Sequence, residues 1–270
     1  MEVIDLTDIQ WERNLTSYTS GGAYLKAAKT GDGGRFFFKL SNYDNERGFI
    51  GFESAYEYLA AKLGLFLDLM VLDCEILKAR IIHNHQEYIT FVQKTADFLH
   101  SGMTKTAFEQ LYLLERLEGE SRLDFLRRQG FSERADEMLL FDYIIYNRDR
   151  HCNNLEFIKN DTLLLSPLFD NGVSFFAPYA GRRVEIENFD VLSNNISNSD
   201  FGTRYLEDNL KYIRNTESII PRLEHVNESD LFEKLFMVFD EDEDFPVWHR
   251  NRCMELILKR MHHAREVLNH

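Results

Sequence analysis

NRDRHCNN at residues 147–154 is the stretch that decides the fold of this chain, together with FDNG at residues 169–172. Asp149 and Asn154 stand five residues apart, and Asp170 follows sixteen residues after Asn154. This spacing is typical of the polar end of a phosphoryl-transfer site, which needs a carboxylate near the attacking hydroxyl and oxygen ligands for a metal. We therefore interpret Asp149 as the base and the other two residues as ligands of Mg²⁺, because magnesium prefers hard oxygen ligands.

The residues between Asn154 and Asp170 predict how the two ligands meet. An apolar run is followed by the polar turn KND at residues 159–161 and by a second apolar run, which is the pattern of a β-hairpin. A hairpin brings its ends together, so the two ligands are expected to be neighbours. A surface loop is the alternative, since Asn, Asp, Arg and His are common in loops. The apolar residues at 139–146 and 163–165 favour the site, because polar groups beside buried elements usually have a partner.

Length and composition describe a globular chain with an ample core. The chain has 270 residues, of which 44% are hydrophobic, including 22 Phe and 12 Tyr. Length is a weak guide to domain number, and a chain of this size fits one bilobal unit. The formal net charge of −14 argues against direct nucleic-acid binding and against an anionic membrane surface, because both need clustered Lys and Arg.

The cysteines and the N-terminal residues indicate the cellular location of the chain. Cys74, Cys152 and Cys253 are few, odd in number and widely spaced, which predicts neither a disulfide framework nor a zinc cluster. The N-terminal sequence MEVIDLTD lacks a basic region and an apolar region, so no ordinary secretory signal is expected. No stretch has the uninterrupted apolar length that a bilayer-spanning helix needs. A reducing cytoplasm is the predicted location.

The strand and helix signals change along the chain and predict an α+β fold. Residues 1–94 carry strand signals with a single helix, whereas residues 105–270 are mainly helical. The strand-rich part is predicted as a hairpin, a helix and a second hairpin: 24–29 with 35–40, then 48–64, then 75–82 with 87–94. The helices predicted after it are 105–117, 121–129, 132–146, 205–215, 230–240 and 247–268. Residues 176–203 are irregular and form a candidate mobile segment.

Lys39 is the most informative residue of the predicted sheet. It stands in the aromatic strand FFFKL at residues 36–40, and a charged group in a buried strand needs an anionic partner. Glu53 on the following helix is the available partner, and Glu57 lies one turn later as the alternative. A lysine that protects an edge strand, and glutamates on a solvated helix face, are the competing interpretations.

A short loop of small residues precedes this strand. TSYTSGGA at residues 16–23 stands between two candidate strands and contains Gly21 and Gly22. Backbone amides in such a loop can cover a triphosphate, as nucleotide sites require. Loops of Ser and Gly are equally common as plain turns, so this loop alone does not decide between the two interpretations.

With these residues identified, the chain resembles the HipA-like serine/threonine kinases. The string D-R-H-x-x-N is also similar to that of the related phosphoinositide kinases. The resemblance covers about Thr19 to Phe176, and its most specific parts are residues 149–154, SPLFD at residues 166–170, and Glu53 placed eleven residues before Gly64. That last spacing favours Glu53 over Glu57 as the partner of the strand lysine.

The resemblance implies a bilobal, protein-kinase-like fold with a small β-rich lobe and a larger, mainly helical lobe. The N-lobe would comprise residues 1–94 and the C-lobe residues 95–270. Asp149 would be the catalytic residue. His151 would orient the loop around it rather than carry a proton, because neutral, hydrogen-bonding histidines are the commoner kind in such loops.

The resemblance also implies how ATP and Mg²⁺ are held. Asn154 and Asp170 would be the metal ligands, and Lys39, held by Glu53, would contact the α- and β-phosphates. The other implied nucleotide contacts are Gly21, Gly22 and Lys26 in the phosphate loop, and the backbone of Phe91, Val92 and Gln93 in an interlobe hinge at residues 91–94.

Members of this family phosphorylate serine or threonine in proteins, with ATP and Mg²⁺ as cofactors. Some are toxins that act on aminoacyl-tRNA synthetases and pair with a small helix-turn-helix antitoxin. A serine in their phosphate loop can be autophosphorylated, and Thr19 and Ser20 stand near the matching place here. The implied partners are therefore a protein substrate and an antitoxin.

Two departures from the family pattern bear on those partners. Larger members carry a further N-terminal module, whereas this chain begins about eighteen residues before the matched loop, so docking of an antitoxin through that module is not expected. Arg150 and Asn153 stand where the best-known members have glycine and lysine, which predicts different electrostatics on the substrate side.

Three functions stay open at this point. The first is an active protein kinase, and the second is a kinase fold that binds nucleotide or a partner without chemistry. The third is a kinase for a small molecule or lipid headgroup, although the acidic composition disfavours a membrane substrate. Arg182 and Arg183 form a local basic spot that either meets an acidic acceptor or is a solvated loop.

Overall fold

The computed structural model describes residues 1–12, 24–31, 34–99 and 102–269. It has a strand-rich N-terminal lobe and a mainly helical C-terminal lobe, which confirms the predicted α+β, bilobal fold. The elements of the first lobe are β1 (Val3–Asp5), β2 (Lys26–Gly31), β3 (Gly34–Leu40), β4 (Tyr43–Asp44), β5 (Gly48–Phe49), α1 (Glu53–Phe66), β6 (Glu75–His83) and β7 (Gln86–Ala96). Within the described ranges, none of the helices has the length and apolar character needed to cross a membrane.

Five of these strands form one sheet in the order β1-β6-β7-β3-β2. Strand β1 runs parallel to β6, and the other neighbouring strands are antiparallel. The hairpins β2–β3 and β6–β7 are the two that the turn residues predicted. Lys26 pairs with Lys39 across β2 and β3, and Lys39 pairs with Gln93 on β7. Directly paired residues point to the same face of a sheet, so these three side chains emerge together.

Helix α1 begins at Glu53, later than the predicted start at residue 48, because residues 43–49 form the small hairpin β4–β5. Gly64 lies near the end of the helix, where an added Cβ would come within 2.4 Å of Val71 Cγ1. Glycine at this position therefore lets the chain that leaves the helix pack closely against it.

The second lobe contains a small sheet and most of the helices. Its elements are β8 (Thr104–Ala107), α2 (Phe108–Glu115), α3 (Arg122–Arg128), α4 (Ser132–Ile144), β9 (Glu156–Lys159), β10 (Leu163–Leu165), α5 (Arg183–Glu187), α6 (Leu206–Asn209), α7 (Thr216–Glu224), α8 (Glu228–Phe236) and α9 (Val247–Leu268). Strand β9 lies between β10 and β8.

Several predicted boundaries in this region are wrong. The predicted helix at 105–117 starts as strand β8, because this threonine-rich segment pairs with β9. Helix α7 was not predicted, since Pro221 inside it disguises the helical pattern. Strand β7 of the first lobe continues to Ala96, two residues beyond the end of the predicted strand at 87–94.

The larger of two apolar cores among the described residues runs from α1 into the second lobe, and the smaller one lies within the strand-rich lobe. The ring of Phe239 packs edge-on against Tyr58 and Phe91, with centroid distances of 5.7 and 5.5 Å. The hydroxyl of Tyr56 lies 2.8 Å from Nε2 of His249 on α9. Burial lowers the pKa of His249 to about 3, so this histidine is neutral at physiological pH. Helix α1 therefore packs on the sheet with one face and on the helical lobe with another.

Candidate active site

The 147–154 loop follows α4 and is held by residues at the end of that helix. Asn147 is fully buried; its Nδ2 donates to Asp142 Oδ1 over 2.8 Å, and its Oδ1 accepts from the backbone N–H of Asp149 over 3.2 Å. Tyr146 has a φ of 55°, which turns the chain sharply out of the helix. Asp149 is thereby placed just beyond the end of α4.

Arg150 lies inside the protein rather than on the substrate side. Its side chain is fully buried, and Nε and Nη2 bind the carboxylate of Asp142 at 3.0 and 2.9 Å. Nη2 also donates to Asn171 Oδ1 at 2.5 Å, and Nη1 donates to the carbonyl of Phe169 at 2.9 Å. One guanidinium group thus joins α4, the 147–154 loop and the 169–172 turn. The prediction that Arg150 alters the substrate side is wrong, because its charge is neutralised within the protein.

Strands β9 and β10 form the predicted hairpin, which returns the chain to the 169–172 turn. Asp170 has a φ of 58°, and its Oδ1 forms an ion pair with the ammonium group of Lys39. Burial acts to raise the pKa of Asp170, but the positive charges of Lys39 and Lys26 outweigh it and hold the pKa well below its usual range. Asp170 is therefore a carboxylate anion at neutral pH.

Lys39 is buried, and its ammonium group contacts two carboxylates. Nζ lies 2.7 Å from Glu57 Oε1 and also donates to Asp170 Oδ1. Burial acts to lower the pKa of Lys39, but the two negative charges raise it above its ordinary value. Glu57 Oε2 accepts from the backbone N–H of Asn171 at 2.8 Å. The strand lysine, helix α1 and the 169–172 turn therefore form one connected group.

Glu53 is not the partner of Lys39, and this prediction is wrong. Because α1 begins at Glu53 itself, that residue lies one helical turn before the contact, which Glu57 makes instead. The Glu53 carboxylate accepts from the backbone N–H of Asn42 at 3.1 Å and from the side chain of Tyr24. Burial raises the pKa of Glu53 above its usual value.

Asn154 has the environment of a metal ligand. It is fully buried, and its Nδ2 donates to the carbonyl of Asp149 at 2.8 Å. Its Oδ1 is buried and has no hydrogen-bond partner among the described residues. A buried acceptor without a partner costs free energy, whereas a hard cation would satisfy it. Arg150 binds the carbonyls of both Asn154 and Phe169, which keeps this amide near Asp170.

The donor set suits Mg²⁺ that is shared with phosphate oxygens. In the part of the chain that the structure describes, no group of three or more His, Cys, Asp or Glu side chains could hold a metal ion alone. Magnesium keeps several waters and takes one or two protein ligands together with substrate phosphates, so it needs no such group. Asn154 and Asp170 would hold the ion, and the nucleotide would complete its coordination.

Asp149 is partly exposed. Its Oδ1 accepts from Nδ2 of Asn198 at 2.8 Å, and its Oδ2 lies 3.7 Å from Nε2 of His151. That distance is too long for a hydrogen bond. The backbone of His151 is bonded within the loop: its N–H donates to the carbonyl of Asp149 at 3.0 Å, and its carbonyl accepts from the N–H of Asn154 at 2.9 Å. The orienting role of its side chain stays a prediction.

Asn198 is a site residue that sequence reasoning missed. It lies in the irregular segment 176–203, where asparagine is an ordinary loop residue, and nothing in the sequence separates it from its neighbours Asn194 and Asn195. Its contact with Asp149 joins residues 49 positions apart and depends on the folded arrangement. Secondary structure alone could not have revealed this residue.

A cleft of about 620 Å³ lies between the two lobes. Lys26, Lys39 and Asp170 line one end, and residues 98–99 with Met103 line another part. Burial lowers the pKa of Lys26. A concave site with apolar walls and a few convergent charges is typical of a ligand pocket, and this one has the charges that phosphates require.

The predicted hinge at residues 91–94 is wrong. Phe91, Val92 and Gln93 lie inside β7, where their backbones pair with the neighbouring strands. Of these three, Gln93 lines the cleft, whereas Phe91 and Val92 belong to the apolar cores. The chain leaves the sheet after β7, and residues 97–99 line the cleft beyond the strand.

Four predicted residues lie outside the described part of the chain: Gly21 and Gly22 of the phosphate loop, and the phosphorylation candidates Thr19 and Ser20. Their roles stay predictions. Lys26, the remaining member of the predicted phosphate loop, begins β2 and lines the cleft.

No protein-family model and no curated protein matches the chain. Among solved structures, 41 chains match. A proinflammatory kinase of Helicobacter pylori, CtkA, is 15% identical with a TM-score of 0.66, over 99% of this chain and 98% of that one. HipA of Shewanella oneidensis MR-1, solved with HipB and operator DNA of the same toxin–antitoxin system, is 13% identical with a TM-score of 0.55, over 95% of this chain and 67% of that one. The chain therefore has the fold of the HipA-like kinases.

Proposed function

We propose that the chain is a serine/threonine protein kinase of the HipA-like type that depends on ATP and Mg²⁺. The observation that carries the proposal is the buried group of Lys39, Glu57 and Asp170 at the cleft. Arg150 joins Asn154 to the 169–172 turn of this group, and Asn154 in turn binds the carbonyl of Asp149. Phosphoryl transfer requires a lysine that is held in place, two metal ligands and a carboxylate for the acceptor hydroxyl. The HipA-like fold supports the same conclusion.

Each residue has a defined part in the proposed reaction. Lys39 would bind the α- and β-phosphates, and Asn154 and Asp170 would hold Mg²⁺, which would neutralise phosphate charge. Asp149 accepts or orients the proton of the acceptor hydroxyl through Oδ2. The acceptor oxygen forms a bond to the γ-phosphorus while the bond from that phosphorus to the bridging oxygen breaks, and ADP leaves.

Incubation with γ-labelled ATP, Mg²⁺ and casein tests the proposal. Asp149→Asn is expected to lower transfer by about a thousandfold, because it removes the base, while Mg·ATP affinity measured by calorimetry stays nearly unchanged. Asp170→Asn is expected to weaken Mg·ATP binding as well. Asp161→Asn, in the exposed β9–β10 turn, is the matched control and keeps full activity. Full turnover by the Asp149 variant would refute the assignment of the base.

Nucleotide binding without chemistry is the second candidate. The direct bond between Lys39 and Asp170 favours it, because this contact occupies the lysine that phosphates need. A pure binder would be stabilised by Mg·ATP in a thermal unfolding assay and would give no labelled product.

The proposal extends to regulation and to partners. Autophosphorylation at Thr19 or Ser20 would appear as added phosphate in mass spectra of the purified chain. The HipA neighbour was solved together with HipB, so a small DNA-binding partner is part of the proposal and can be sought by co-purification. A cytoplasmic location stays a prediction from composition.

A further inference from the structure

A loop at residues 196–205 lies against the loop that carries the proposed base. The backbone N–H of Asn198 donates to the carbonyl of Arg148 at 2.7 Å, and that of Asp200 donates to the carbonyl of Arg150 at 3.1 Å. The donors and the acceptors are each two residues apart, so the two bonds fix the register between the loops. Composition indicated that segment 176–203 could be mobile. In this part of the segment, the two hydrogen bonds hold it against the 147–154 loop.

The far end of the 196–205 loop is also anchored. Phe201 is fully buried, and its ring packs against Phe108 with a centroid distance of 5.1 Å. Gly202 has a φ of 76°, and an added Cβ there would lie 2.4 Å from Asn209 Oδ1. Glycine is therefore needed at this turn, both for the backbone conformation and for the approach of the asparagine. These contacts hold the whole loop in one place.

The amide of Asn198 is directed at Asp149 although Asn198 itself is exposed. An exposed hydrogen bond adds little to the free energy of unfolding, because water replaces it readily. Its effect is on orientation: with Oδ1 bound at 2.8 Å, Oδ2 is the oxygen left for an acceptor hydroxyl. Among the described residues Oδ2 makes no hydrogen bond, and Nε2 of His151 lies 3.7 Å from it.

We propose that Asn198 is a positioning residue for phosphoryl transfer. It holds the carboxylate of Asp149 so that Oδ2 faces the hydroxyl of the acceptor, and it borders the path by which the acceptor approaches. This role rests on the proposed function, since it requires Asp149 to act on the acceptor proton. Misplacement of a reacting group by about 1 Å can cost about a hundredfold in rate.

The test compares variants of the full chain with Mg·ATP and casein. Asn198→Ala is expected to lower kcat by about tenfold to a hundredfold while KM for ATP and Tm stay unchanged. Asn198→Asp keeps the shape of the side chain but replaces the amide donor with a second carboxylate. Its expected loss in kcat is at least as large as that of Asn198→Ala. Asn195→Ala is the matched control, because Asn195 is an exposed residue nearby whose Nδ2 bonds the hydroxyl of Tyr146 at 2.9 Å. It is expected to retain full activity.

A double-mutant cycle separates positioning from a structural role. In an Asp149→Ala background, Asn198→Ala is expected to have no further effect, because its partner is gone. Equal losses in both backgrounds, or full activity of Asn198→Ala alone, would overturn the positioning role and leave the proposed function intact. If the unmodified chain gives no labelled product, the proposed function fails, and the role of Asn198 fails with it.

Discussion

Two buried groups of charges in this protein have similar composition and different surroundings. Lys39 with Glu57 and Asp170 borders the interlobe cleft. Arg150 with Asp142 is sealed beneath the 147–154 loop, and neither residue lines the cleft. Each group places a cation against a carboxylate, so composition does not distinguish them. A buried ion pair that borders a cavity indicates a ligand site. A buried ion pair whose donors all bind other groups of the protein indicates a structural role.

The difference predicts different consequences of substitution. A change in the Arg150 group should act mainly on folding, because it leaves a buried charge without its partner. A change in the Lys39 group should act mainly on chemistry, because this group also faces the space where phosphates would lie.

Arg150→Met is expected to give the largest effect on stability, a loss of about 3–5 kcal/mol in the free energy of unfolding, because it leaves Asp142 buried without its partner. Urea unfolding followed by circular dichroism measures this loss. Arg148→Met is the matched control, since Arg148 bonds the carbonyl of Ile196 through a single N–H group, and its expected cost is about 1 kcal/mol. Equal stability of the Arg150 variant and the unmodified chain would remove the distinction between the two groups.

Glu57→Gln is expected to lower kcat/KM for ATP by about tenfold to a hundredfold, or about 1.4 to 2.7 kcal/mol, because Lys39 loses one of its two anions. Glu53→Gln is the matched control on the same helix and is expected to change kcat/KM little, because Glu53 does not contact the lysine. Initial-rate kinetics at varied ATP measure both. The reverse order of effects would restore Glu53 as the functional partner.

Asp170 and Glu53 should contribute to the stability of the chain with opposite dependence on pH. The folded-state pKa of Asp170 is depressed, so its stabilising effect is present above the unfolded pKa of about 3.9 and is lost as the pH falls. The folded-state pKa of Glu53 is raised, so its contribution becomes unfavourable as the pH rises above the unfolded pKa of about 4.3.

At neutral pH, Asp170→Asn should therefore be less stable than the unmodified chain by on the order of 1 kcal/mol, and Glu53→Gln should be more stable. The difference for Glu53→Gln should shrink as the pH falls toward about 4, whereas the difference for Asp170→Asn should persist there and shrink only as the pH falls further, below the unfolded pKa of about 3.9. Tm measured from neutral to acidic pH checks this expectation. Differences that stay constant over the whole range would show that the two carboxyls do not titrate as described.

Much of the fold could be predicted because its signals are local. Helix α9 spans the predicted residues 247–268, because its apolar residues recur with the helical period over about six turns. The hairpins β2–β3, β6–β7 and β9–β10 follow from polar or glycine-containing turns between apolar runs. The motif residues 149–154 and 170 could be proposed as site residues because their spacing in the sequence is the one that phosphoryl transfer requires.

The parts that could not be predicted depend on contacts between distant residues. The choice of Glu57 over Glu53 follows from where α1 begins, which the small hairpin before it determines. The inward direction of Arg150 depends on Asp142, a carboxylate on a helix whose burial the local sequence does not reveal. The contact of Asn198 depends on a loop that is placed by the packing of Phe201.

Helix α1 has a consequence for how the cleft can open. The bond between Tyr56 and His249 fastens this helix to the helical lobe, and a histidine whose pKa is about 3 does not release it by protonation near neutrality. Helix α1 is therefore joined to both lobes, to the sheet through Lys39 and Glu57 and to the helical lobe through Tyr56 and His249. Any movement that widens the cleft has to be taken up at one of these two contacts.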